Sequence, residues 1–206
     1  TQLFGSLPFG FWNLERANLG DDDYSTVFGT GDLTAGFNHV LRREQLHTPE
    51  IVGTVSFTAP LGADPFELSP GPSALGSGFW AVTGSLLFIK SYDPAVVFGG
   101  VGYTHQFDRD YLGGTFDPGE IFTYQFGTAF AINDTITLNA VFLGQIQTQT
   151  QYNDISLPGS TEEPLQLRFS LICSKSRCLV IEPFAAIGMT PDAPQADIGV
   201  IITERF

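Results

Sequence analysis

The chain has 206 residues, of which 43% are hydrophobic and only 15% are charged, and its formal net charge is −13. Nine lysines and arginines are too few to neutralise a phosphate backbone, so the composition excludes nucleic acid as a partner. Gly, Phe and Pro are abundant (23, 19 and 13 residues), and this composition disfavours a helical protein.

No stretch of the sequence approaches the roughly 18 unbroken apolar residues of a membrane helix. A hydrophobic chain without such a helix indicates either a buried all-β core or a barrel with lipid outside. Because the chain begins at Thr1 rather than at Met, we expect that a signal peptide and part of the N-terminal segment have been removed.

Large apolar residues alternate with small or polar ones in runs of about 9 to 14 residues, the length that a tilted strand needs to cross a bilayer. In the clearest run, 121–132, Phe122, Tyr124 and Phe126 alternate with Thr123 and Gln125. The runs follow one another at 3–11, 33–41, 55–59, 80–88, 97–103, 121–132, 136–146, 165–171, 179–187 and 198–206.

The links between these runs fall into two sets. Longer links are predicted at 15–25, 62–78, 108–120, 151–164 and 190–197, and shorter ones at 42–50, 90–95, 133–135 and 174–177. Of the 22 acidic residues 15 lie in the longer set, whereas six of the nine bases lie at the opposite end. Long external loops and short periplasmic turns are typical of outer-membrane barrels, so this pattern favours a barrel over a soluble sandwich.

The chain stops on Phe206 directly after an alternating run, and a C-terminal aromatic residue resembles the insertion signal of outer-membrane barrels. We therefore predict an all-β fold: a single transmembrane antiparallel up-and-down β-barrel over residues 1–206, with about ten strands visible. The expected location is the outer membrane of a Gram-negative-type bacterium, with outer-membrane lipid and lipopolysaccharide as partners.

Side-chain parity predicts the form of two hairpins, because a one-residue slip would move apolar side chains off the lipid face. If Ile132 and Ile136 both face lipid, their turn has three residues, 133–135. An odd number of residues in the 174–177 hairpin keeps Glu182 off the lipid face. Cys173 and Cys178 are then diagonal to each other, and we predict a local disulfide between them in the oxidising periplasm.

Polar residues on the inward parity are predicted to line the lumen. Arg168 and Glu182 lie on neighbouring strands, so they are expected to form an internal ion pair that either braces the barrel or contacts the substrate. Gly99, Gly100 and Gly102 are interpreted as strand glycines that permit bending or close approach. The predicted lumen-lining set is Asp32, Asn38, Gln125, Asn139, Gln145, Gln147, Gln166, Arg168 and Glu182.

An enzymatic function is not expected, because His39, His47 and His105 lie in separate segments without a nucleophile motif. We predict no catalytic residue, no metal ligand and no cofactor. The sequence leaves open an occluded structural or ligand-binding barrel without transport, since several large side chains have inward parity. These are Phe28, Phe79, Leu87, Ile89 and Phe98.

Short motifs in the middle and at the C-terminal end carry a resemblance to a known family. They are Asp64-Pro65-Phe66, Gly76-Ser77-Gly78-Phe79, Ser91-Tyr92-Asp93-Pro94-Ala95, Phe98-Gly99-Gly100-Val101-Gly102-Tyr103, Glu182-Pro183-Phe184 and Thr190-Pro191-Asp192-Ala193-Pro194. The chain resembles the outer-membrane transporter family labelled for meta-pathway phenol degradation, which includes the functional-amyloid secretion pore of pseudomonads. For this chain the resemblance implies a twelve-stranded barrel in the full protein and a possible homotrimer.

The resulting functional hypothesis is an outer-membrane pore or channel. It passes either a small hydrophobic or aromatic solute or a secreted polypeptide through the lumen, and a secretion pore specific for functional-amyloid subunits is the narrower alternative.

Overall fold

The computed structural model describes residues 1–18, 21–62, 76–176 and 178–204, with the backbone alone for 11–28. Within these ranges the regular structure consists of strands, and no helix is long and apolar enough to cross a membrane. In chain order the strands are β1 (Gln2–Ser6), β2 (Phe9–Asn18), β3 (Asp21–Thr30), β4 (Leu33–Arg42), β5 (Glu50–Ala59), β6 (Ala81–Tyr92), β7 (Ala95–Gln106), β8 (Arg109–Tyr111), β9 (Gly114–Asp117), β10 (Ile121–Asn133), β11 (Ile136–Gln147), β12 (Gln151–Tyr152), β13 (Ile155–Ser156), β14 (Leu165–Ser174), β15 (Leu179–Gly188) and β16 (Ala196–Glu204).

Ten of these strands form one antiparallel up-and-down sheet, in the order β1-β4-β5-β6-β7-β10-β11-β14-β15-β16. They coincide with the ten alternating runs of the sequence, so the all-β up-and-down prediction is confirmed. β1 and β16 are the two edges, and among the described residues they do not pair with each other.

Directly paired residues share a face of the sheet, and this rule separates two faces along every strand. Phe126 is in register with Gly99 and Phe142 and is 53% exposed, whereas its neighbour Gln125 faces the opposite way. We call the face of Phe126 the outer face and the face of Gln125 the inner face. The exposed large apolar side chains of the sheet strands fall mainly on the outer face.

The links confirm the predicted asymmetry but hold more strand than expected. β2 and β3 pair over ten positions and extend the β1–β4 hairpin, so the predicted loop 15–25 is mostly a two-stranded ribbon. Such a ribbon satisfies its own backbone groups, which polar composition alone does not reveal. β8, β9, β12 and β13 form a further four-stranded sheet inside the links 107–120 and 148–164.

The turn between β10 and β11 differs from its prediction. The ladder shifts between Ala131 and Asn133, and Asn133 then pairs with Ile136, so a bulge at Ile132 is followed by a two-residue turn. Asn133 Oδ1 accepts hydrogen bonds from the backbone amides of Thr135 and Ile136, each at 2.9 Å. The bulge and this side-chain cap close the hairpin without reversing the faces below it.

The cysteine hairpin has the predicted parity but lacks the predicted disulfide. Cys173 is in register with Ile181, so the predicted diagonal placement of Cys173 and Cys178 is wrong, and both cysteines are free. Cys178 lies three residues before Ile181, which is about 10 Å of extended chain. A disulfide needs Cα atoms within about 7 Å of each other. The expected bridge is therefore not formed in this structure.

Candidate functional site

Neutral polar side chains line the inner face and form hydrogen bonds between neighbouring strands. Thr54 Oγ1 donates to Asn38 Oδ1 at 2.7 Å, and the hydroxyls of Thr83 and Thr104 are 2.8 Å apart. Each pair occupies directly opposed positions of two strands. Opposed polar pairs of this kind stabilise a sheet and leave its inner surface wettable.

A cavity of about 370 Å³ lies against the inner face of β6, β7, β10, β11 and β14. Three predicted lumen-lining residues, Gln125, Gln145 and Gln166, contribute amide side chains to its wall. Leu87, predicted as a large inward side chain, and Gly100, predicted as a strand glycine, also line it. The sequence analysis did not include Ser85, Thr123 and Leu143 in the predicted lining, although their inward parity could have identified them.

Gly100 and Gly102 make room for the side chains of the neighbouring strand. A Cβ at Gly100 would lie 3.0 Å from Leu86 O and 3.2 Å from Gln125 Nε2. A Cβ at Gly102 would lie 2.5 Å from Thr123 Oγ1. The close approach predicted for these glycines is therefore confirmed, and it places Gln125 and Thr123 at the cavity wall.

Below the cavity, Arg168 and Glu182 form the predicted ion pair across β14 and β15. Arg168 Nη2 lies 3.6 Å from Glu182 Oε1, and both side chains are 22% exposed. The guanidinium carbon is 3.9 Å from the centre of the Phe184 ring, which adds a cation–π contact. The two charges therefore neutralise each other on the inner face.

Asn139 lies beside this pair on β11. Its Nδ2 donates to Ser170 Oγ at 3.4 Å, a long contact, and Ser170 is buried. Asn139 Oδ1 and Arg168 Nε are buried and have no hydrogen-bond partner among the described residues. An acceptor on β11, Asn139 Oδ1, and a donor on β14, Arg168 Nε, are therefore available to hydrogen-bond a molecule in the interior.

Two predicted lining residues hold links rather than facing the cavity. Asp32 precedes β4, and its carboxylate accepts from the amide of Gly62 at 3.1 Å and from the amide and hydroxyl of Ser77 at 2.7 and 2.6 Å. Gln147 Nε2 donates to Pro118 O at 3.1 Å. Both residues tie the long links to the ends of the sheet strands.

Some of the large inward side chains narrow the interior. A Cβ at Gly127 would lie 2.7 Å from Phe98 Cζ, so the Phe98 ring covers that glycine, and Ile89 is in register with Phe98. Leu87 lines the cavity, whereas the Phe28 side chain lies outside the described residues. Phe79 is 6% exposed and stacks on Phe116 of β9 with ring centres 5.7 Å apart.

The three histidines occupy separate places. His39 Nδ1 is 2.7 Å from Thr1 Oγ1, His47 lies in the link 43–49, and His105 Nδ1 is 2.8 Å from Glu120 Oε1. Among the described residues there is no group of three or more His, Cys, Asp or Glu that could hold a metal ion.

Comparison with known proteins agrees with this architecture. Residues 2–177 match the family described as "Putative MetA-pathway of phenol degradation". The structure is similar to the crystal structure of an outer membrane channel from Pseudomonas putida F1, with a TM-score of 0.75 and 15% sequence identity over 95% of this chain and 74% of that one. The fold is that of an outer-membrane β-barrel, in agreement with the predicted location, and the chain belongs to this phenol-degradation family.

Proposed function

We propose that the protein is an outer-membrane channel whose interior passes a small uncharged solute with an apolar part, such as a monoaromatic alcohol. The cavity on the inner face carries this proposal. Its volume of about 370 Å³ lies in the range of small-molecule sites, roughly 300–1,000 Å³. Its lining combines leucines with amide and hydroxyl groups, and no charged side chain of the described residues contributes to it.

The chemistry of the lining supports a neutral ligand. Gln125, Gln145 and Gln166 each offer a donor and an acceptor, and Leu87 and Leu143 offer apolar surface. A hydroxylated ring matches both kinds of group. The similarity of the fold to an outer membrane channel supports transport. The family description concerns phenol degradation and supports an aromatic solute.

Passage of an extended polypeptide is the second candidate. The polar pairs Asn38–Thr54 and Thr83–Thr104 favour it, because they provide neutral hydrogen-bonding groups along the interior. The Phe98 ring over Gly127 interrupts this lining and favours the small solute.

Single-channel recording of the full-length protein in planar bilayers tests the proposal. We expect conducting steps that millimolar catechol reduces reversibly. Gln125→Trp places a bulky ring in the cavity, so it should lower conductance several-fold and remove the effect of catechol. Phe126→Trp, on the outer face of the same strand, is the matched control and should behave as the wild type.

Three outcomes would contradict the proposal. A folded, inserted protein that never conducts indicates an occluded barrel. Current that is blocked by an unfolded peptide and not by catechol favours polypeptide passage. Equal effects of the two tryptophan variants would show that the cavity is not on the conducting path.

A further inference from the structure

The outer face carries a furrow of about 640 Å³ across β4, β5, β6 and β7 that the channel function does not use. Its floor is Gly53 and Gly84, and its walls are Phe37, Leu41, Leu86 and Tyr103. In the part of the chain that the structure describes, no acidic residue, lysine or arginine lines it. Apolar walls over a floor without side chains give a slot on the lipid-facing side of the sheet.

The two glycines account for the shape of the slot. Gly53 is in register with Leu86 and Gly84 with Val55, so they are diagonal neighbours on adjacent strands. A Cβ at Gly84 would meet nothing within 4 Å, and one at Gly53 would come 3.1 Å from Leu41 Cδ1. The space above Gly84 is therefore open for an apolar occupant.

The length of the furrow matches one membrane leaflet. Its row on β4 runs from Phe37 to Leu41, next to Arg42 at the end of the short links, and these four residue steps span about 13 Å of strand. One leaflet of the hydrocarbon core is about 15 Å thick. An acyl chain entering from the short-link end would thus occupy the furrow along most of its length.

The charges at the two ends select the leaflet. Arg42 is in register with Ile51 at the short-link end, and both Arg42 and Arg43 are exposed and form no salt bridge with a described residue. At the other end, Glu120 Oε1 lies 2.8 Å from His105 Nδ1, and His105 is two residues along β7 from Tyr103 of the furrow wall. Cations attract a lipid phosphate and a carboxylate repels it. Short links are periplasmic in outer-membrane barrels.

We propose that this furrow binds one phospholipid of the periplasmic leaflet, with an acyl chain over Gly53 and Gly84 and the phosphate at Arg42 and Arg43. The site lies on the opposite side of the sheet from the cavity. β6 and β7 pair without interruption over twelve positions, so the wall between the two is closed. Lipid binding and solute passage are therefore separate properties of the molecule.

Native mass spectrometry of the full-length protein in detergent, with added phosphatidylglycerol, tests this inference. The wild type should retain one phosphatidylglycerol. Gly84→Leu fills the slot and should lower the bound fraction at least tenfold. Gly99→Leu is the matched control, because Gly99 is also on the outer face, outside the furrow, and its added Cβ would meet only Gln125 O at 3.6 Å. It should bind as the wild type does.

The double variant Arg42→Gln, Arg43→Gln tests the headgroup and keeps the test decisive if Gly84→Leu does not fold. It should lower phosphatidylglycerol binding about tenfold, whereas inorganic phosphate alone should not compete. The inference is overturned if Gly84→Leu and the arginine variant both retain the lipid, or if lipid A binds in preference to phosphatidylglycerol. It is also overturned if Gly84→Leu alters only the oligomeric mass.

Discussion

Arg168 and Glu182 are the charges that the inner face brings together. Each is largely withdrawn from water, and Phe184 covers the guanidinium from one side. Removing one partner leaves the other without its counter-charge in a confined interior, which costs more than the attraction itself contributes. The pair is therefore expected to brace β14 against β15.

We expect Arg168→Met to destabilise the protein by about 1–2 kcal/mol, between the values for surface and fully buried pairs. Urea unfolding in liposomes measures this change. Arg168→Met combined with Glu182→Gln should recover part of the loss. If the double variant loses as much free energy of unfolding as the two single variants together, the residues are not coupled. The pair would then not brace β14 against β15.

Glu44 fastens a short link to the end of β6. Its Oε1 accepts from Lys90 Nζ at 2.8 Å and from the Ser91 amide at 2.9 Å, and its Oε2 accepts from Ser91 Oγ at 2.8 Å. The hydrogen bond from Lys90, followed by those from Ser91, lowers the pKa of Glu44 from 4.5 to about 2. This carboxylate therefore stabilises the fold above pH 4.5, and the contribution is lost as the pH falls through about 2.

Carboxyl NMR titration of Glu44 checks this assignment. We expect a midpoint well below that of an ordinary glutamate, and Lys90→Met should raise it because the largest cause of the shift is removed. A wild-type midpoint near 4.5, or one that Lys90→Met leaves unchanged, would show that the link is not held in this way.

At the scale of the strand, β7 uses glycines differently on its two faces. Gly100 faces inward and is crowded by Leu86 and Gln125, whereas Gly99 faces outward and is open. Gly100→Val should therefore displace Gln125, reduce conductance and cost about 1–3 kcal/mol through overpacking. Gly99→Val should be close to neutral in both respects. Equal effects in conductance and urea-unfolding measurements would contradict the assignment of the two faces.

Alternation predicted the ten sheet strands because a period of two directly reports which side chains face lipid. It also predicted the parity of the cysteine hairpin and the pairing of Arg168 with Glu182. Composition failed in the links. The polar stretch 15–25 lies mostly in the β2–β3 ribbon, and β8, β9, β12 and β13 form a sheet of their own, so these segments make backbone hydrogen bonds within themselves. The bulge at Ile132 and the separation of Cys173 from Cys178 depend on local turn geometry, which parity does not determine.

For the whole molecule, side chains at the strand ends hold the described parts of the long links. Asp32 accepts hydrogen bonds from the amides of Gly62 and Ser77, and Gln147 Nε2 donates to Pro118 O. Between two long links, Glu163 N donates to Asp192 Oδ2 at 2.9 Å.

The ten-stranded sheet ends in two edge strands, β1 and β16. Edge strands carry unpaired backbone groups, which lipid cannot satisfy. The twelve-stranded barrel implied by the family resemblance would cover both edges, and it stays a prediction for the full protein.

The central claim is that solute moves along the inner face, and thiol modification of a conducting channel tests it most directly. In a background of Cys173→Ser and Cys178→Ser, a water-soluble charged thiol reagent should reduce single-channel current in steps when Gln125 is changed to Cys. The same reagent should leave the current of Phe126→Cys unchanged, because that position faces lipid. Modification that alters the current of Phe126→Cys and spares Gln125→Cys would reverse the assignment of the two faces and contradict the account.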